Sequence, residues 1–200
     1  MLDLKELSTM IELIQKVHNI EGWLSDSEAI LLYLMAKNGP GDGAIVEIGS
    51  FKGRSTIYLA QGSIDGNREI VTSIDPHQGS RTIMNCVPPG GTEATFKENL
   101  RKFNVFEHVD AYTATSEKIA KTWDKKIRLL FIDGNHDYEA VKLDYELWEP
   151  HLIVGGLIAM HDSSGGFPGP KAVVNQYIKH SEKFADLVLI DSLTIARKVK

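Results

Sequence analysis

Short apolar runs that alternate with helical segments constrain the fold of this chain more than any other feature. Strands buried on both faces are almost continuously apolar, and their alternation with helices is typical of a parallel sheet covered by helices on both sides. The pattern in this 200-residue chain therefore predicts a single doubly wound α/β domain. The predicted strands are residues 44–48, 70–74, 109–112, 127–132 and 157–160, and the predicted helices between them are residues 55–61, 93–103, 116–122 and 138–148.

Two helices are predicted ahead of the first strand. Apolar residues at helical spacing near the start of the chain indicate an amphipathic helix, whose apolar stripe we expect to cover the core. Ser25 and Glu28 then form a capping-box pattern that starts a second helix, and a Gly-Pro pair ends it. We therefore divide the chain into N-terminal helices, residues 1–40, and a main domain, residues 41–200.

The C-terminal part of the chain is predicted to contain one more helix and two more strands. Pro170 marks the first turn of a helix, where proline is favoured, and this helix should end at residue 183 or close to it. Residues 187–190 and 194–199 are β-like, and the connection between them is short enough for antiparallel pairing. We therefore expect a mostly parallel sheet with one antiparallel pair at this end.

A glycine-containing turn after the first predicted strand is the first candidate ligand site. Gly49 and Gly53 lie between a strand and a helix, and ligands of open α/β sheets bind beyond the carboxyl ends of the strands. The spacing of the two glycines does not fit the G-x-G-x-x-G pattern that binds a pyrophosphate. Glu47, just before the turn, suits a cationic ligand better. The alternative is a turn that only needs glycines.

Asp75 ends the second predicted strand and is the second candidate ligand residue. A carboxylate roughly 20 residues beyond a glycine-rich turn can accept hydrogen bonds from both ribose hydroxyls of a nucleoside. The alternative is a carboxylate that only caps the end of the strand. Together with the glycine turn, Asp75 favours a nucleoside-containing ligand.

These residues resemble the first motif and the ribose-binding acid of the class I S-adenosylmethionine-dependent methyltransferases. The first motif is residues 46–56, Val-Glu-Ile-Gly-Ser-Phe-Lys-Gly-Arg-Ser-Thr. Residues 131–138, Phe-Ile-Asp-Gly-Asn-His-Asp-Tyr, and 155–162, Gly-Gly-Leu-Ile-Ala-Met-His-Asp, are similar to one branch in particular. That branch contains metal-dependent O-methyltransferases of sugars and natural products and is distantly related to the catechol O-methyltransferases. The resemblance covers the chain from Trp23 to its last residue.

The resemblance implies a seven-stranded sheet, with the last strand antiparallel and inserted beside its neighbour, and S-adenosylmethionine as cofactor. It implies that Gly49, Ser50 and Gly53 contact the methionine part of the cofactor, that Asp75 holds the ribose and that Ser116 lies near the adenine. It also favours a homodimer. The cofactor-binding candidates are Glu47, Gly49, Ser50, Gly53, Ser55, Asp75, Ser116 and Asp133.

Asp133 and Asp162 end the fourth and fifth predicted strands and are candidate metal ligands. Neighbouring parallel strands lie about 4.8 Å apart, so the two carboxylates would meet at one rim and repel unless a cation or proton intervenes. Mg²⁺ takes such oxygen ligands and would lower the pKa of a bound substrate hydroxyl. Related enzymes have a third ligand, Asp or Asn, where this chain has Ser163. The alternative is that both carboxylates cap helices or bind loop amides.

His136 is the candidate catalytic base, acting together with Asp133. It follows Asp133 where related enzymes have a base, and an imidazole with an unperturbed pKa of about 6.5 accepts a proton at neutral pH. A metal-ligating histidine and a loop histidine without a role are the alternatives. His161 precedes Asp162 and should point away from it by strand alternation, so we expect His161 either to have a structural role or to support the metal-binding residues from behind.

The predicted function is transfer of a methyl group from S-adenosylmethionine to a hydroxyl group of a small molecule, such as a sugar or natural product. Residues 76–92 and 163–169 are candidate lids that would exclude water. A methyltransferase of amino groups is disfavoured because no Asn/Asp-Pro-Pro-Tyr/Phe pattern follows the fourth strand, and a nicotinamide oxidoreductase is disfavoured by the glycine spacing. The remaining alternative is a non-catalytic cofactor-binding or assembly module, against which Asp133, His136 and Asp162 argue.

Charge and cysteine content limit the partners and the compartment. The net charge of −5 disfavours a nucleic acid, because phosphates are bound by an excess of Lys and Arg. Cys86 is the single cysteine and cannot form an internal disulfide, and charged residues at the start of the chain argue against a signal peptide. No apolar run reaches the roughly 18 residues that span a bilayer. We therefore expect a cytoplasmic protein with a small-molecule substrate and no membrane partner.

Overall fold

Seven strands form one sheet in a computed structural model that describes residues 4–79 and 84–200. The strands are β1 (Ala44–Ile48), β2 (Val71–Ile74), β3 (Val109–Tyr112), β4 (Ile127–Ile132), β5 (Leu152–Met160), β6 (Phe184–Ile190) and β7 (Leu193–Lys198). Their order in the sheet is β3-β2-β1-β4-β5-β7-β6. The first five strands are parallel, and β7 lies between β5 and β6 and is antiparallel to both. The doubly wound fold and the inserted antiparallel strand are therefore confirmed.

Helices cover both faces of this sheet. They are α1 (Leu4–Val17), α2 (Asp26–Asn38), α3 (Arg54–Asp65), α4 (Glu93–Lys102), α5 (Ser116–Ala120), α6 (Tyr138–Trp148) and α7 (Pro168–Val173). Short 3₁₀ turns occur at Met84–Cys86, Phe106–His108 and Glu149–His151. Within residues 4–79 and 84–200, no helix combines the length and the apolar character needed to cross a membrane.

Strand β4 lies at the centre of the sheet and shows how the core is divided. All six of its residues are buried. Leu129 and Phe131 belong to the cluster under α1 to α4, whereas Leu130 and Ile132 belong to the cluster under α5 to α7. Successive side chains of a strand point to opposite faces, so a strand covered on both sides is apolar at nearly every position. The exception in β4 is Arg128, which is 1% exposed and pairs with Glu69. This burial explains why the strand was recognisable as a nearly continuous apolar run.

The N-terminal helices pack on the sheet through only part of their apolar surface. Met10 and Val17 of α1 are buried in the same cluster as residues of the sheet, which agrees with a core-covering helix. Leu4, Leu7 and Ile11 are exposed on the other side of α1. The capping box of α2 is present, with Ser25 and Glu28 each bonded to the backbone of the other. The division of the chain at residue 40 stays a prediction.

The predicted last helix is wrong in its extent. It begins at Pro168, changes at Val174 into a π-helix, Val174–Lys179, and ends before residue 183. The hydroxyl of Ser181 accepts a hydrogen bond from the N–H of Lys183 at 3.2 Å, which replaces the next helical turn. Apolar spacing alone does not report such a local side-chain bond.

Strand β5 begins five residues earlier than the apolar pattern indicated, at Leu152. Ile127 of β4 pairs with Leu152, but Leu129 pairs with Leu157, so the register between the two strands shifts. Gly155 lies at this shift with φ +90°, a backbone conformation that favours glycine. The two glycines at this bulge interrupt the apolar run, which explains why the start of the strand was missed.

Candidate active site

A cavity of about 570 Å³ opens at the carboxyl ends of the parallel strands. Residues that follow β1 to β5 line one side of it, and residues 21–24, just before α2, line another. Phe167, at the N-terminal end of α7, contributes to the wall. This is the position at which open α/β sheets bind their ligands.

The turn after β1 approaches the end of β4 so closely that it needs glycine. Gly49 has φ +87°, and a Cβ atom there would lie 2.1 Å from the carbonyl oxygen of Asp133. Ser50 follows it, is 4% exposed and lines the cavity. Its hydroxyl is buried without a hydrogen-bond partner among the described residues. Because buried hydroxyls are normally bonded, Ser50 indicates that a ligand group completes the site.

Glu47 lies behind this turn rather than on the cavity surface. Its carboxylate accepts hydrogen bonds from the hydroxyls of Ser55 at 2.6 Å, Thr56 at 2.5 Å and Ser73 at 2.9 Å. Burial raises the pKa of Glu47 to about 7, although these three bonds oppose the rise. Glu47 is therefore placed to join β1, β2 and α3 beneath the turn, and the predicted Gly53 also lies outside the cavity lining while Ser55 lies within it.

Asp75 lies on the cavity wall and holds the glycine turn in place. One carboxylate oxygen, Oδ2, accepts the N–H groups of Ser50 and Phe51, both at 2.8 Å. The other, Oδ1, accepts the N–H of His77 at 2.6 Å. The end of β2 is thus joined to the turn after β1 by hydrogen bonds to one side chain.

Ser116 lines the cavity at the start of α5, where its hydroxyl donates a hydrogen bond to Asp144 of α6. Burial raises the pKa of Asp144 to about 6, and the bond from Ser116 opposes this. The sequence interpretation missed Asp144. A usable signal existed, because Asp144 falls on the buried face of α6 together with Val141, Tyr145 and Trp148.

Asp133, His136 and Asp162 converge on the opposite side of the cavity. Nε2 of His136 lies 3.2 Å from Asp162 Oδ2 and 4.0 Å from Asp133 Oδ1. One potential ligand atom from each residue lies within 4.8 Å of the others. Burial lowers the pKa of His136, but the hydrogen bonds and charges of the two carboxylates outweigh it and raise the pKa to about 9. The structure thus brings all three predicted catalytic and metal-binding residues together.

The expectation that His161 points away from Asp162 is wrong. Nδ1 of His161 lies 3.3 Å from Asp162 Oδ2 and 3.1 Å from Asp133 Oδ1, and its Nε2 lies 3.2 Å from Glu28 Oε2. Strand β5 ends at Met160, and Asp162 has φ +54°, so strand alternation does not extend to it. Burial lowers the pKa of His161, but the charge of Asp133 and the hydrogen bonds that His161 donates to carboxylates raise it well above the usual value.

The Ser163 side chain faces away from this cluster. Its hydroxyl donates to the carbonyl oxygen of Ser192 at 2.8 Å and lies 2.6 Å from the hydroxyl of Thr194. Ser163 is therefore engaged in the packing of β7 and does not reach the position of a third ligand. Among the described residues, His136 is the third member of the group whose potential ligand atoms lie within 4.8 Å of one another.

Aromatic side chains that the sequence interpretation did not single out stand at the cavity wall. Trp23, before α2, packs against Phe51 with ring centroids 5.2 Å apart and the ring planes tilted by 38°. Phe167 packs on the ring of His136 with centroids 4.0 Å apart and belongs to the second predicted lid, residues 163–169. The first predicted lid, residues 76–92, includes residues 80–83, which lie outside the described part of the chain.

Comparisons with known proteins agree with this geometry. The family described as "Methyltransferase domain" matches residues 46–163, which is more than half of the chain. In the uncharacterized protein R132 of Acanthamoeba polyphaga mimivirus, 32% of residues are identical over 125 residues, covering 58% of this chain. The alignment covers only half the length of that relative.

Solved structures show the same fold at low sequence identity. CalS11, a TDP-rhamnose 3′-O-methyltransferase of calicheamicin biosynthesis, has a TM-score of 0.63 and 19% identity, with 98% of this chain and 96% of CalS11 covered. The O-methyltransferase from Bacillus cereus, solved in complex with SAH (S-adenosylhomocysteine), has a TM-score of 0.65 and 18% identity, with 96% and 91% covered.

The order of the strands and the position of the cavity at the strand ends agree with the class I methyltransferase type, which the sequence predicted. The chain belongs to the methyltransferase-domain family.

Proposed function

We propose that this protein transfers the methyl group of S-adenosylmethionine to a hydroxyl group of a small molecule. The observation that carries the proposal is a single cavity shared by two sets of residues. The glycine turn with Ser50 and Asp75 lines one part of it, and Asp133, His136 and Asp162 line another. A cofactor site and an acid–base cluster that open into one space are what a methyl transfer requires.

The residues of the first part fit the cofactor. The unpartnered hydroxyl of Ser50 offers a hydrogen bond to the methionine end. A carboxylate has roughly four lone-pair positions, and three backbone N–H groups use three of those on Asp75, which leaves one for a ribose hydroxyl. Ser116 and Asp144 form a polar pair at the far end, where we place the adenine. Carboxylates around the cavity also suit the positive sulfonium and ammonium groups.

The residues of the second part fit removal of a proton from the acceptor. The acceptor oxygen would form a bond to the methyl carbon as the carbon–sulfur bond breaks. Nε2 of His136 would take the hydroxyl proton in those molecules whose imidazole is neutral, a small fraction at neutral pH because the two carboxylates raise the pKa of His136 to about 9. Asp133 and Asp162 hold that nitrogen on the cavity side, and Phe167 packs on the ring. Position and exclusion of water are the main contributions we assign to the protein.

A divalent cation such as Mg²⁺ fits between Asp133 and Asp162, because two converging carboxylates are ligands of the kind that such cations prefer. When bound, the cation would orient the acceptor hydroxyl and lower its pKa. With Ser163 engaged elsewhere, the remaining positions would be filled by water and by the acceptor, because Nε2 of His136 could not both bind the cation and take the acceptor proton.

Calorimetric titration with S-adenosylhomocysteine, run once with Mg²⁺ and once with EDTA, tests the cofactor part of the proposal. We expect micromolar binding in both runs, and weaker binding in Asp75→Asn than in a control variant, Asp110→Asn, whose side chain lies at the surface. No binding in either run would refute the proposal. A Mg²⁺ titration that gives heat with the wild type and none with Asp162→Asn would support the metal site.

The acceptor class rests on related proteins and on the cavity wall. CalS11 acts on a nucleotide-linked sugar, and the rings of Trp23 and Phe51 offer flat apolar surface to a ring-shaped acceptor. We therefore propose a hydroxylated sugar or natural product, to be found by transfer of a labelled methyl group to a panel of such compounds.

The homodimer and the cytoplasmic location are proposals from the family resemblance and from the single Cys86, to be tested by light scattering and by cell fractionation.

A further inference from the structure

Glu28 makes more contacts than a helix-capping residue needs. It is 1% exposed, and both of its carboxylate oxygens have two partners. Oε1 accepts the N–H and the hydroxyl of Ser192 at 2.8 and 2.7 Å. Oε2 accepts the N–H of Ser25 at 2.8 Å and lies 3.2 Å from Nε2 of His161. Only the bond with Ser25 belongs to the capping box.

His161 connects this carboxylate to the proposed active site. The Nε2 side of its ring faces Glu28, and the Nδ1 side faces Asp133 and Asp162. A ring held by carboxylates at both nitrogens has a fixed orientation, and it offers a fixed donor to the two carboxylates on the cavity side. His161 is 3% exposed, so water cannot easily replace either contact.

Glu28 is itself held in place from two directions. The hydroxyl of Ser25 donates to Asp191 at 2.7 Å, while Glu28 binds Ser192, so the start of α2 is joined to the turn between β6 and β7. That turn lies beside the end of β5, where His161 is located. The start of α2 and the hairpin of β6 and β7 therefore meet behind the acid–base cluster.

We infer that Glu28 is a positioning residue, which acts through His161 to hold Asp133 and Asp162 in the arrangement that the proposed methyl transfer uses. The inferred role in methyl transfer rests on the proposed function, whereas the contacts of Glu28 and His161 are independent of it. Loss of an outer partner of this kind typically costs about 10–100-fold in activity or metal affinity. Glu28 does not line the cavity, so affinity for the cofactor should not change.

Four variants test this inference: Glu28→Gln, His161→Gln, the double variant, and Ser25→Ala as a matched control. Ser25→Ala removes the capping bond and the bond to Asp191 from the start of the same helix, at a cost of about 1 kcal/mol, and leaves the contacts of Glu28 with Ser192 and His161 in place. The reporter is the ring resonances of His136 in nuclear magnetic resonance spectra at neutral pH, because Nε2 of His136 lies 3.2 Å from Asp162 Oδ2, the carboxylate oxygen that His161 also contacts. Binding of S-adenosylhomocysteine is measured on the same samples.

We expect Glu28→Gln and His161→Gln to shift the His136 resonances, the double variant to resemble His161→Gln, and Ser25→Ala to resemble the wild type. Turnover with an acceptor from the panel should fall about 10–100-fold in Glu28→Gln, with the KM for S-adenosylmethionine unchanged. Unshifted His136 resonances in Glu28→Gln, or additive shifts in the double variant, would overturn the inference. The comparison is informative because the effects of two substitutions do not add when one residue acts through the other.

The wild type supplies a second measurement in case Glu28→Gln does not fold. Both ring N–H protons of His161 should be observed as slowly exchanging signals, since each is buried against a carboxylate. Rapid exchange of either proton would contradict the inference. Failure of the wild type to bind S-adenosylhomocysteine would instead refute the proposed function, and the signals of His161 would be unaffected by that result.

Discussion

His136 is the residue on which turnover depends most directly if the proposed reaction is right. Replacement by Ala removes the group that takes the acceptor proton, and loss of such a group typically costs about 10²–10⁴-fold in rate. We expect turnover in His136→Ala to fall by that factor, while calorimetry gives the wild-type affinity for S-adenosylhomocysteine. His180→Ala, at an exposed position, is the control and should behave as the wild type. Turnover that survives in His136→Ala would show that another group is the base.

The buried carboxyl group of Glu47 leads to a second prediction at the scale of single residues, on how the stability of the fold depends on pH. Its pKa rises from 4.5 to about 7 on folding, so the folded state holds the proton more tightly than the unfolded state. The associated stability is present below pH 4.5 and is lost as the pH rises through 7, in total roughly 3 kcal/mol. The unfolding free energy of the wild type, relative to Glu47→Gln, should therefore fall between pH 5 and pH 8 in denaturant titrations.

Glu12→Gln, at an exposed position of α1, provides the control for this measurement. Its difference from the wild type should stay constant across the same pH range. A constant difference for Glu47→Gln as well would mean that the buried carboxylate does not take up a proton on folding.

At the scale of elements, the turn between β1 and α3 is limited by its contact with the end of β4. In Gly49→Ala the new Cβ would meet the carbonyl oxygen of Asp133 at 2.1 Å, so turn and strand must separate. Gly90→Ala is a matched control, because Gly90 has a similar φ of +93° but open space around it. We expect Gly90→Ala to cost about 1–2 kcal/mol in denaturant titrations, from backbone strain alone. Gly49→Ala should lower the free energy of unfolding by more than this and should also weaken S-adenosylhomocysteine binding. An equal loss of stability in the two variants would show that the new Cβ does not collide with Asp133.

At the scale of the whole molecule, the cofactor should stabilise the fold because its cavity is formed by five strands and the segment before α2. A ligand at 100 times its Kd that binds only the folded state adds about 2.7 kcal/mol. For a chain of this length, that corresponds to a rise in Tm of roughly 5–10 °C. Thermal unfolding with and without S-adenosylhomocysteine measures this rise in Tm. An unchanged Tm at millimolar ligand would contradict the cofactor site.

Local patterns in the sequence were enough to predict the sheet and which residues would meet at the candidate site; the roles of those residues stay predictions. Burial on both faces leaves a nearly continuous apolar signal in the central strands, as in β4, whereas β3 and β6 are partly exposed and were identified only as short β-like runs. Asp133, His136 and Asp162 were predictable because parallel strands end at one edge of a sheet. The contact between Glu28 and His161 was not, since it joins residues 133 positions apart, and only tertiary packing brings them together. The bulge at Gly155 was missed for a similar reason, because register is set between strands.

Glu28 serves a helix start and a distant histidine with one side chain, and this has a consequence for how the protein can evolve. As a capping residue alone, position 28 would accept Gln with little loss. With Ser192 and His161 as further partners, it should tolerate very few exchanges. Positions 28 and 161 should then vary together across descendants of this gene, and a substitution at one would be inherited successfully only alongside a compensating change at the other.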